Sequence, residues 1–109
     1  MFEKEYRDLG FYRQSIENVK EHIAEEKLYE FDMILREILK IAMSIDSITE
    51  HKYGTTVHRL RSARHYQSIK TLENCVEYLE LLFRLATEYL QVKETEQLLS
   101  ENEEALQPA

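Results

Sequence analysis

Residues 72–92 read LENCVEYLELLFRLATEYLQV, and the spacing of their apolar positions decides the fold class. Leu72, Val76, Leu79, Phe83, Ala86 and Leu90 step by 4, 3, 4, 3 and 4, which holds side chains on one face of a helix. Tyr78, Leu81, Leu82, Leu85, Tyr89 and Val92 lie beside that seam. A helix apolar over more than one stripe needs cover on most sides.

Working outward, residues 31–48 (FDMILREILKIAMSIDSI) repeat the pattern. The seam here begins at Leu28 and continues through Phe31, Leu35, Ile38, Ala42 and Ile45, and 31–48 carry Met33, Ile34, Leu39, Ile41, Met43 and Ile48 in addition. The first third is plainer. Leu9, Tyr12, Ile16, Val19 and Ile23 form one narrow seam among charged neighbours. Gly10 disfavours a helix interior, so this helix is expected to begin just after it. Between Ile23 and Leu28 the phase slips by one residue. The helix either runs through with a stutter or bends within AEEKLYEF.

Gly54 is the one clear breaker, and Thr55 or Thr56 is the expected cap of the helix after it. Two Gly and one Pro in 109 residues leave little material for turns, which points away from strand-rich folds. The chain reads as two helical arms about Gly54, each broken once. We therefore expect an all-α protein, an antiparallel helical hairpin or four-helix bundle. The segment 55–67 is short and polar, a poor fourth wall, so dimerisation is expected to complete the bundle. Residues 1–98 are read as a single helical-bundle domain, and 99–109 as an acidic tail that frays.

Composition bounds the class. A 43% hydrophobic, 32% charged chain of this length is a single folded domain. Cys75 is the lone cysteine, so no internal disulfide can form. The opening MFEKEYRDLG lacks the apolar stretch of a signal peptide, and no run approaches the ~18 apolar residues of a membrane span. The expectation is a soluble, cytoplasmic protein that does not engage a membrane.

Charge is distributed unevenly. Residues 1–50 carry 12 acids against 7 bases, and residues 71–109 carry 9 against 2. Between them HKYGTTVHRLRSARHYQSIK, residues 51–70, holds five Lys or Arg and no acid. On a continuous helix His58, Arg61 and His65 share a face, and Val57 and Leu60 share another. If the helix ends near Ser68, Val57 and Leu60 face the core and the basic residues line its edge. If it runs on into 72–92, His58 and His65 fall on the core seam and need partners.

Three readings follow. The basic segment pairs with its acidic neighbours as a solvated face. It binds an anion or a partner through His58, Arg59, Arg61, Arg64, His65 and Lys70, although a net charge of −7 opposes nucleic acid. Or it carries chemistry at histidine. HRLRS at 58–62 resembles the H-x-L-K-G start of histidine phosphotransfer domains, which implies an exposed phosphate-accepting His58 with Arg61 one turn on. Ser62 and Ser68 stand where that family has glycines. Arg59 and His65, five residues apart, resemble the R-x(4-6)-H of HEPN-type ribonucleases, with Leu60 where a polar residue is usual. Neither resemblance identifies a family.

No HExxH, CxxC or P-loop pattern is present. His22 and Glu26 are read as a surface pair and Cys75 as a buried structural thiol. No catalytic residue, metal or cofactor is assigned. The expected function is a non-enzymatic protein–protein interaction module (a regulator, adaptor or chaperone) acting as a homodimer on a protein partner. The alternative is phosphoryl or RNA handling by the basic helix 57–70.

Overall fold

The computed structural model describes residues 1–25 and 30–106, with side chains described up to residue 101. Its helices are α1 (Glu3–Ala24), α2 (Phe31–Ile48), α3 (Gly54–Arg61) and α4 (Ile69–Leu106), with a 3-10 turn at Ser62–His65 before α4. α1 spans Gly10 instead of starting after it, and Gly10 stands exposed in the helix interior. The expected phase slip falls partly on residues 26–29, outside the described residues, as do Leu28 and Glu26. His22 lies 3.1 Å from Glu30, through its Nε2 and a Glu30 carboxylate oxygen.

The helices run up, down, up and down. Ser15, Val19 and His22 of α1 meet Met33, Ile34 and Glu37 of α2, so these two are antiparallel. Lys20 pairs with Glu80 at 3.3 Å and the Tyr6 hydroxyl donates to Glu94 at 3.0 Å, so α1 is antiparallel to α4 as well. α2 and α4 are therefore parallel. The chain between them must return along the bundle, and α3 with the 3-10 turn makes that return. α1 packs on one side of the α2–α4 pair, and α3 with the 3-10 turn closes the other.

The seams become the core. Ile34, Ile38, Ile45, Leu72, Leu79, Leu82 and Leu90 are fully buried. Each such side chain withdrawn from water stabilises the fold by about 1.5–3 kcal/mol before the entropy of ordering it. Val57, Leu60 and Ala63 are buried too, so the segment expected to be a poor wall is the fourth wall. Three small apolar side chains suffice because α1 already covers the opposite side. A second copy is thus not required to close the core.

The junction after α2 differs from expectation, and the one before α4 does not. The reversal after α2 is made by Glu50 and His51, at φ 55° and 65°, and not by Gly54, which begins α3 with ordinary helical backbone. Left-handed backbone at residues with a Cβ costs roughly 1–2 kcal/mol each. Neither Thr55 nor Thr56 caps α3, whose preceding residue is Tyr53. The second break falls where one of the two expected geometries put it. Ser68 Oγ accepts the Thr71 N–H at 3.1 Å, a cap that starts α4 afresh. α4 then runs through the expected tail boundary to Leu106. Among the described residues no helix is long and apolar enough to cross a membrane.

Candidate functional site

α3 presents its apolar face inward through Val57 and Leu60, which turns its basic residues outward. His58, Arg59, Arg61, Arg64, His65 and Lys70 are all exposed. They do not form one stripe. His58 and Arg61 face a cleft of about 320 Å³ on the α2 side, with Met43, Asp46, His51, Gly54 and Val57. Arg59 faces a cleft of about 290 Å³ on the α4 side, with Ser62, Thr71, Asn74, Cys75 and Tyr78. His65 joins neither, because the backbone tightens to three residues per turn at Ser62 and the seven-residue spacing loses its α-helical phase.

Among the described residues, Arg59, Arg61, Arg64 and Lys70 make no ion pair with any carboxylate. Arg61 instead rests its guanidinium 3.8 Å from the Met43 sulfur. Lys52 lies over the Tyr53 ring, 5.8 Å from its centre. Among the described residues, the five cations of this acid-free segment thus have no carboxylate partner.

The first cleft holds a pair that sequence reading passed over. Asp46, only 6% exposed, accepts the Tyr53 N–H on Oδ1 at 3.0 Å. Its Oδ2 lies 3.3 Å from Nδ1 of His51. The Asp46 carbonyl accepts the His51 N–H at 2.9 Å and the Thr49 hydroxyl at 2.8 Å. One residue therefore organises the α2–α3 turn and holds an exposed imidazole beside His58 and Arg61. The available signal was an acid in the last turn of a helix, where the dipole disfavours it.

Cys75 is buried, and burial raises its thiol above the ordinary value of 9.0, the opposite of what a nucleophile needs. Among the described residues no three His, Cys, Asp or Glu side chains converge as a metal site. No protein-family model matches the chain, and no curated protein or solved structure matches it.

Proposed function

We propose that this protein is a non-enzymatic interaction module whose cationic surface on α3 and the 3-10 turn docks an acidic protein segment, and that it works as a homodimer. The observation that carries the reading is the set of unpaired guanidinium and ammonium groups at Arg59, Arg61, Arg64 and Lys70, in a protein of net charge −7. A solvated face in an acidic chain recruits its own carboxylates. One that stays unpaired keeps its field for a partner, where complementary potentials speed and orient association. A nucleic acid carries charge along its whole length and meets the acidic remainder of the surface as well as the cations, whereas a short acidic segment need meet only the cations.

A fluorescent glutamate-rich peptide tests this. Binding should weaken with salt and be lost in Arg59→Glu/Arg61→Glu/Arg64→Glu. Absence of binding at low salt, or binding indifferent to the triple substitution, refutes the reading.

The second reading is phosphoryl or RNA handling, favoured by the His51 imidazole held by Asp46 beside His58 and Arg61. Labelling by a small phosphoramidate donor that disappears in His58→Ala, or RNA capture at low salt that Arg59→Ala/Arg61→Ala abolishes, would favour this reading over docking.

A further inference from the structure

α4 carries a second apolar line besides its core seam. Tyr78, Leu85, Val92 and Leu99 recur every seven residues. At about 100° per residue they lie roughly 120° round the helix from Leu79, Ala86 and Leu90. Tyr78 is 46% exposed, Val92 56% and Leu99 58%, with Leu81 beside them at 36%. α3 flanks this line only at its lower end, where Tyr78 shares a cleft with Arg59. Glu94 meets Tyr6 near the start of α1, and every described residue from Thr95 to Glu101 is exposed. A seven-residue apolar repeat is the pattern by which one helix pairs with another.

Charge says which helix. Positions 94–104 carry five Glu and no base. Parallel pairing would set two such ends against each other. Antiparallel pairing about the middle of the line sets 78 opposite 99 and 85 opposite 92. Positions 101–104 then fall level with positions 76–73 of the other helix. That is the level at which Arg59 and Ser62 flank Asn74 and Tyr78, while Glu73 and Glu77 of the same helix turn toward α1.

We propose that two copies of this chain pair antiparallel along the Tyr78–Leu99 line of α4, each laying the acidic end of its α4 against the unpaired cations of the other's α3 and 3-10 turn. The arrangement rests on the docking reading above and names its occupant as a second copy. It is closed and two-fold, so both charge contacts form at once.

Sedimentation across a concentration series tests it on the full chain. Wild type should show a monomer–dimer equilibrium. Val92→Glu changes an exposed position the fold does not use, and should be monomeric with unchanged helical content. Arg59→Glu/Arg64→Glu and Glu96→Arg should each weaken self-pairing by about tenfold or more, since each sets like charges together in both contacts. Mixed in equal amounts, the two variants should form a heterodimer of near wild-type affinity, because both contacts are again complementary. A wild type monomeric at millimolar concentration, a dimer indifferent to Val92→Glu, or a mixture that stays apart each overturns the arrangement. A monomer that still binds the glutamate-rich peptide through Arg59 and Arg64 overturns it while leaving the docking surface standing.

Discussion

Asp46 sits in the last turn of α2, where the helix field disfavours a carboxylate, yet its side chain is buried. The Tyr53 N–H and the His51 ring compensate it. Asp46→Ala would leave that N–H without its partner and release the left-handed turn at Glu50 and His51. The expected loss is about 1–3 kcal/mol in urea unfolding, with a smaller loss for Asp46→Asn, which keeps an acceptor oxygen. Gly10 makes the opposite case. A Cβ there meets nothing within 4 Å and the backbone is helical, so Gly10→Ala should stabilise by about 0.5–1 kcal/mol on the same measurement. Cys75 supplies a pH dependence. Its folded thiol titrates above 9.0, so the folded state disfavours the thiolate. This contribution is fully present below the unfolded pKa and is lost as pH rises through the folded one. A thiol reagent at pH 8 should react slowly with native protein and rapidly in denaturant, and equal rates would contradict the burial. Glycine content misled at this scale. Gly54 was the visible breaker, but the positive φ angles fell on Glu50 and His51, which Asp46 holds through contacts that close only once the chain has reversed.

At the level of elements, the sequence was more legible. The 3-and-4 seams of residues 9–23, 31–45 and 72–90 fix which faces are buried, because burial of a helix face is a property of its own periodicity. What each face packs against is a property of topology, and there the reading fell short. The basic segment carries three core residues, Val57, Leu60 and Ala63, which looked too few for a wall. They suffice because α1 and α3 divide the cover of the α2–α4 pair between them. Leu60→Ala should therefore cost about 2–5 kcal/mol, as for a core leucine, although it lies in the most polar helix of the chain. A cost near zero would mean that α3 is not packed as described. The outward turn of His58 and Arg61 follows from the same face assignment. The split of the cations between two clefts does not, since it depends on α2 and α4 flanking α3 from either side.

Across the whole molecule, charge is arranged along a rod of 67 × 24 × 15 Å. α4, with 38 residues, is about 57 Å long, against about 27 Å for the 18 residues of α2, so one helix outruns the bundle. Its far end is acidic and its near end lies beside the cations of α3 and the 3-10 turn. In the proposed dimer, antiparallel pairing sets opposite charges together and parallel pairing sets like charges together. Salt should act on the two parts of that attraction differently. At about 0.1 M the screening length is about 10 Å, and at about 1 M about 3 Å. Contacts between exposed Glu and Arg should fade across that range, while burial of the Tyr78–Leu99 line should not. The dissociation constant of the dimer should thus rise with salt and level off short of complete dissociation. In Val92→Glu, which leaves the Glu and Arg contacts in place but breaks the apolar line, any pairing left at low salt should be abolished by added salt. Backbone hydrogen exchange locates the same effect: the amides of Thr95–Leu106 should be protected in the wild-type dimer and exchange freely in Val92→Glu, while those of Leu72–Leu90 stay slow in both. Protection of the overhang that ignores both salt and Val92→Glu would place the contact somewhere other than between two acidic ends and two basic helices.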